Sequence, residues 1–324
     1  PGAGPKHIGS RFSFSTHRLE HALKDLLVLE DSLLVDERTR VHIDTMRADI
    51  HFRRGEYAQA YVAYRQLEKQ LSSAGSAVRL AFYYAASGQY DDAGSWLDHA
   101  DARADKNDKH LQAWLKLQRG ILDLDRGRLD EAKAHYLAGL EIFPDYWLIQ
   151  EHIAEIDALK GHDMVAENNY RDLIERTDSP LFMLALSDIL KERMSELERN
   201  ESVMWRERAE DIYRARLHEF PEVVAGHSLD FFIEHAEPEF ALSLAQRNYN
   251  ERPNGEAAVQ LMQACLMVGD VEKAKPVLQR ALQSGYTSAD LHSVAGRFYT
   301  LMDNEAQADY HYAMARQINP LQGN

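Results

Sequence analysis

The chain has 324 residues, 45% apolar and 27% charged, a balance that excludes disorder for its main body. Lysine and arginine total 37 against 52 acids, a net charge of -15, which excludes long-range attraction to phosphate backbones or anionic lipid, so nucleic acid is not an expected partner. No apolar run approaches the roughly 18 residues of a membrane span, and the lone Cys265 excludes an internal disulfide.

Residues 1–15 are rich in glycine, proline and basic residues and are expected to form a flexible tail. The chain opens on Pro1 without an initiator methionine, so an upstream segment is expected to have been removed. That leans the expected location toward export, with cytoplasm and periplasm both open. Residues 16–40 carry Leu19, Leu23, Leu26, Leu27, Leu33 and Leu34 at helical spacing and predict an N-terminal capping helix, docking on a membrane or partner helix being the alternative. His17 and His21 stand four apart beside Glu20. They are weak metal candidates, since zinc takes three or four ligands; no metal and no cofactor is expected.

From Val41 onward one pattern recurs. Glycine precedes alanine by five residues at Gly55 and Ala60, Gly88 and Ala93, Gly127 and Ala132, Gly161 and Ala166, and Gly269 and Ala274; chance produces five such coincidences about once in a hundred thousand. Before each glycine lie about 12 to 14 residues with helical apolar spacing, and a second helical segment comes after it. Glycine ends the first helix because it adopts the left-handed cap conformation. Alanine lets the second helix approach the first. An aromatic one turn later (Tyr64, Tyr136, Tyr170, Tyr213, Tyr312) fills the space beside that contact, and Pro144, Pro221, Pro253 and Pro320 close the units.

The pattern resembles the tetratricopeptide repeat, a 34-residue helical hairpin. Extending the alanine register to Ala209, Ala241 and Ala308 puts successive markers 33, 39, 34, 43, 32, 33 and 34 residues apart. The resemblance implies an all-α, right-handed superhelical solenoid of about eight such hairpins with an N-terminal capping helix. The units fall near 41–74, 75–112, 113–146, 147–179, 180–221, 222–253, 254–287 and 288–320, with 321–324 as a C-terminal tail. The family's first-helix tryptophan is missing throughout: its positions hold Asp44, Ala77, Lys116, Gln150, Arg193, Ala225, Ala258 and His292. In the fifth unit no turn glycine appears; Leu181 to Leu197 reads as an over-long helix and Arg199 to Ser202 as a polar turn. Residues 98–108 read as a solvated insertion or an extended helix end, and their aspartates lack the spacing of a calcium loop.

No nucleophile elbow, phosphate loop, zincin helix or paired-cysteine motif is present, so the chain is not expected to be an enzyme. Cys265 falls at an apolar packing position and reads as a buried inert thiol. The sequon Asn200-Glu201-Ser202 is a triplet that chance supplies in a chain of this length.

Proteins that resemble this one hold extended peptides or partner helices on a concave wall of first-helix residues. In this register the wall comprises Asp49, Phe52, Arg53, Phe82, Trp114, Leu117, Ile121, Glu151, Glu155, Asp230, Ile233, Glu234, Met267 and Arg297, Trp114 and Phe82 reading equally well as packing residues. Relatives that clamp a partner's C-terminal carboxylate use lysine, arginine and asparagine in their first helices. Here the matching region offers Asp49 and Phe82, so that clamp is not expected and a basic or amphipathic protein segment suits the wall. The expected function is a non-catalytic interaction scaffold or adaptor. The alternatives are a docking or regulatory region of a larger enzyme, and an exported accessory protein of an envelope or metal-handling system. Only four residues follow Pro320, so either a covering segment has been cut away or this end pairs with a second copy, and a homodimer is the expectation.

Overall fold

A computed structural model describes residues 19–30 and 36–322, and among them every regular element is a helix. The expected tail of residues 1–15, His17, Leu33, Leu34 and the side chains of His21 and Leu27 lie outside the described part. The helices are α1 (Leu19–Glu30), α2 (Glu37–Arg53), α3 (Tyr57–Leu71), α4 (Ala74–Ala86), α5 (Tyr90–Arg103), α6 (Lys109–Leu124), α7 (Leu129–Ile142), α8 (Trp147–Leu159) and α9 (Asp163–Thr177). They continue as α10 (Pro180–Lys191), α11 (Glu196–Glu219), α12 (Pro221–His235), α13 (Pro238–Glu251), α14 (Gly255–Met267), α15 (Val271–Gln283), α16 (Ala289–Leu301) and α17 (Glu305–Ile318). From α2 onward they pair as eight helical hairpins.

Local chemistry sets the hairpin boundaries. Gly55, Gly88, Gly127, Gly161 and Gly269 all have φ between 69° and 73°, the left-handed region that lets the chain leave a first helix and re-enter a second two residues later. In the last hairpin Asp303 takes that conformation with φ 52°. Polar residues receive the orphan amides at the helix starts: Asp36 from Thr39, Asp108 from Leu111, Asn254 from Ala257, Asp270 from Lys273 and Ser288 from Leu291. The register alanines are buried at the helix contacts without exception, from Ala60 through Ala308. A second rule accompanies them. The aromatic of the second helix lies 16 residues after a small residue of the first, as in Ala48 and Tyr64, Gly120 and Tyr136, Ala154 and Tyr170, and Gly296 and Tyr312. At Gly120 an added Cβ would fall within 2.6 Å of the Tyr136 ring.

The described residues divide into two compact units, one made of those up to Arg103 and from Glu222 onward, the other of 104–221. In the first, α1 covers the start of the array: Leu19, Ala22 and Leu26 are buried against Ile43, Met46 and Ile50 of α2. The same unit joins residues far apart in sequence. The Tyr57 hydroxyl accepts the Gly255 amide at 3.0 Å, 198 residues away, and its ring stacks on Tyr286 at 6.0 Å. The Thr287 amide donates to the Ala86 carbonyl at 2.9 Å, and a Cβ on Gly55 would stand 2.6 Å from the Pro253 carbonyl oxygen. Two turn glycines thus serve twice, since Gly88 meets Thr287 in the same way. Cys265 is fully buried, and burial pushes its thiol up to about 11, consistent with an inert packing residue.

The second unit contains α6 to α11. Leu117, Ala132, Tyr136, Ile149 and Ile156 form one buried cluster, and Ala154, Tyr170, Phe182, Leu186 and Ala209 form the next. Its fifth hairpin differs from the expectation. The over-long helix is the second one, α11, of 24 residues, and Arg199 to Ser202 lie inside it. The break falls instead between Lys191 and Glu196. Antiparallel pairing places Ser187 and Ser202 where each hydroxyl donates to the other's carbonyl, at 2.9 and 2.8 Å, in a buried site. Arg199 closes the turn by donating to the carbonyls of Arg193 and Met194. Within residues 98–108, α5 runs on to Arg103 and Asp108 caps α6.

Candidate functional site

The structure separates the sequence-predicted wall residues into those spent on the fold and those left to solvent. Asp49 accepts both Nε and Nη2 of Arg79 at 2.8 Å and the Tyr64 hydroxyl at 3.0 Å, so its charge is already compensated. Leu117 is 2% exposed and belongs to the core; it offers nothing to a groove, because it faces α7 and α8 rather than outward. Phe52 packs edge-on against Tyr57 at 5.4 Å, Trp114 and Ile121 lie against the α6–α8 core, and Arg53, Phe82 and Ile233 are half-buried. Asp230, Glu234, Met267 and Arg297 are exposed, with Asp230 also accepting the Gln260 amide at 3.1 Å.

The remaining two, Glu151 and Glu155, lie one turn apart on α8. Ile149, Ala154 and Ile156 of that helix are fully buried in the core, and residues at i and i+4 such as Glu151 and Glu155 lie on one face. Between them stands His152, whose Nδ1 is 3.0 Å from one oxygen of Glu155 and 3.5 Å from one of Glu151. Its ring stacks on Tyr136 of α7 at 5.2 Å with only 12° between planes. Tyr136 is fully buried and its hydroxyl has no hydrogen-bond partner, while the charges of Glu155, Asp125, Glu151 and Asp123 all act on it. Among the described residues neither glutamate is paired with a lysine or arginine, and His152 is their one ionic partner.

Proton affinities follow from this crowding. Burial pushes the Glu151 carboxyl up to about 7, with His152 opposing and Glu155 reinforcing the shift. Burial acts to lower His152, but the hydrogen bond to Glu155 and the charges of Glu151, Glu155 and Asp125 outweigh it and hold the imidazole above its ordinary value. Tyr136 is raised by burial and by the four surrounding carboxylates. The donor atoms of Glu151, His152 and Glu155 all lie within 4.8 Å of one another, a set able to converge on one cation.

A family model described as "Tetratricopeptide repeat" matches residues 113–138, within the hairpin of α6 and α7. Similar solved structures include a tetratricopeptide repeat protein from Parabacteroides merdae (14% identity, TM-score 0.44, covering 76% of this chain and 93% of that one). Another is TTC0263, a tetratricopeptide repeat protein of Thermus thermophilus (19% identity, TM-score 0.31, covering 65% and 93%). A third is Naa15/Naa10 bound to HypK-THB (16% identity, TM-score 0.39, covering 98% and 53%). These likenesses concern helical build alone. No curated protein matches the sequence. With its αL-glycine turns, buried register alanines and paired helices, the chain is an all-helical repeat protein, and one of its hairpins matches the tetratricopeptide model. No helix among the described residues is long and apolar enough to cross a membrane.

Sequence reasoning placed Glu151 and Glu155 on the wall, read Tyr136 only as a packing aromatic and passed over His152. The spacing Glu-His-x-x-Glu on a predicted helix was the available signal, because i, i+1 and i+4 donors with flexible side chains can reach one point. A second unused signal was a separation of 30 residues. Asp49 and Arg79, Asp130 and Lys160, Arg171 and Glu201, Asp178 and Arg208, and Asp230 and Gln260 all hydrogen-bond at that distance in sequence. In the units of 33 and 34 residues, as for Asp49, Asp130 and Asp230, thirty residues is one repeat less one helical turn, which brings the two side chains level on neighbouring hairpins; the Arg171 and Asp178 pairs span the longer fifth unit and do not follow that arithmetic.

Proposed function

We propose that this protein is a non-catalytic interaction scaffold whose first-helix surfaces hold a basic or amphipathic segment of a protein partner. Proteins built from such hairpins generally mediate protein–protein contacts. The observation that carries the finer reading is the pairing of exposed acids with exposed apolar side chains on the first helices. In the second unit the exposed C-cap Asp125 of α6 and the half-exposed Glu155 of α8 accompany Leu159, which is 56% exposed; in the first, Asp230 and Glu234 of α12 accompany Met267 of α14. None of these apolar groups is needed by the hairpin cores. Acids at such a surface steer a cationic partner, and the apolar groups anchor it. Self-association through α17 belongs to the same reading: Tyr310 is 54% exposed there, and light scattering at tens of micromolar decides it, a monomer removing it.

The test is binding of fluorescent 20-residue helical peptides, one basic and amphipathic, one with the same apolar face and acidic charges. The parent should bind the basic peptide, more weakly as salt rises. Variants Asp230→Lys with Glu234→Lys, and separately Asp125→Lys with Glu155→Lys, should weaken it. Equal binding of both peptides, or no effect of either variant, defeats the reading.

A further inference from the structure

We propose that Glu151, His152 and Glu155 form a binding site for one divalent transition-metal ion of the zinc class, with Tyr136 as its supporting hydroxyl. Four observations carry this. Three donors of two chemical kinds, two carboxylate oxygens and an imidazole nitrogen, converge within 4.8 Å from one turn of α8. Ligands at the bond lengths usual for zinc stand about 3.3 Å from each other in a tetrahedral shell, and His152 Nδ1 lies at 3.0 and 3.5 Å from its two carboxylates. Imidazole with carboxylate is a donor set for zinc and its first-row neighbours rather than for calcium or magnesium, which take oxygen.

Charge compensation is the second argument. Two carboxylates face one imidazole, with no lysine or arginine paired to either among the described residues. A divalent ion neutralises the pair and takes the imidazole lone pair, whereas a lysine ammonium would find one of its three neighbours itself basic. Third, the Tyr136 hydroxyl is fully buried, lacks a partner, and lies in the field of the same carboxylates. A buried hydroxyl without a hydrogen bond has lost its contact with water and gained nothing in return. A metal-bound water or a reoriented carboxylate oxygen supplies the acceptor it lacks, the usual relation between a metal site and its outer shell. Fourth, the stacked Tyr136 ring already fixes the plane of the imidazole, and the Glu155 side chain, 40% exposed, gives an ion a way in from solvent. Three protein donors leave one position for water or for a partner's side chain.

Metal binding is measured without any partner, so its outcome is independent of the peptide reading above. The full chain is titrated with zinc chloride by calorimetry, and with cobalt(II) by visible absorption, which reports ligand type and geometry. The parent should bind one ion, lost or weakened at least tenfold in Glu155→Gln and in His152→Gln. Tyr136→Phe should retain the stoichiometry and weaken binding about tenfold. His17→Ala with His21→Ala should leave this ion in place. Glu155→Gln changes a half-exposed side chain and keeps its shape and hydrogen-bonding capacity, and far-UV circular dichroism of each variant verifies its fold. The proposal is overturned if the parent binds neither metal. It is equally overturned if affinity and cobalt spectrum survive in a Glu151→Gln, His152→Gln, Glu155→Gln triple variant, since the ion would then sit elsewhere.

Discussion

Replacing Gly120 by alanine isolates the contact that positions Tyr136, and its effect should change sign with the partner. In a helix interior the substitution ordinarily stabilises by about 1 kcal/mol, because glycine has more backbone freedom to lose. Here the new Cβ would stand 2.6 Å from Tyr136 Cζ and closer still to Cδ1 and Cε1, against an optimum of about 3.5 to 4.0 Å for carbon pairs. The ring has nowhere to retreat: it is fully buried and stacked on His152. Overpacking of this kind costs about 1 to 3 kcal/mol, and the short contact argues for the upper end. The net expectation is destabilisation by about 1 to 2 kcal/mol. In a Tyr136→Ala background the methyl enters the space the ring vacated, and the same replacement should stabilise by about 1 kcal/mol. The coupling between the two positions is therefore about 2 to 3 kcal/mol. Urea titrations of the four proteins, followed by far-UV circular dichroism, measure it. Stabilisation by Gly120→Ala in the parent, or an identical effect in both backgrounds, would refute the reasoning. Gly296→Ala is the internal comparison: Tyr312 is similarly close but only half-buried, so it can swing aside and the cost should be smaller.

Ala132→Leu and Ala274→Leu, both at fully buried positions, should each prise a hairpin apart and cost about 1 to 3 kcal/mol; a variant that melts like the parent would show the register to be wrong. Gly269→Ala meets no atom within 4 Å yet sits at φ 73°, so it should cost about 1 to 2 kcal/mol from backbone conformation alone, seen as a lowered melting temperature. Acid sensitivity should arise in the last hairpin. His292 and His311 share an Nδ1 to Nδ1 hydrogen bond of 2.9 Å, with Thr287 on the other nitrogen of His292 and Tyr299 stacked on His311. Burial and the charge of His311 lower His292 to about 4, and burial lowers His311. Both folded values lie below the ordinary 6.5, so the unfolded chain binds protons first. This contribution is intact above about pH 6.5 and declines as pH falls toward about 4. Melting curves of the parent and His311→Phe, taken at neutral pH and again about two units lower, check the sign. The variant should lose less on acidification, and an equal loss in both would reject the pair as its source.

Much of the architecture is legible in the sequence because the signals that carry it are local and repeated. A glycine able to take positive φ, an alanine five residues later and an aromatic beyond it define a hairpin without reference to the rest of the chain, and Ala60 to Ala308 are buried as that rule requires. The fifth hairpin was legible only in part. It has no turn glycine, and its two helices are joined by the Ser187 and Ser202 staple, of which Ser202 reads in sequence as part of a polar turn and Ser187 as part of a long helix. Which charges remain available is a matter of tertiary packing. Asp49 and Glu155 look alike in a helical pattern, yet one faces Arg79 on the next hairpin and the other has, among the described residues, His152 as its ionic partner beside an unsatisfied Tyr136 hydroxyl. The joining of Tyr57 to Gly255 across 198 residues belongs to the same class. Burial and pairing are sums over neighbours from several hairpins, and periodicity within one hairpin contains no account of them.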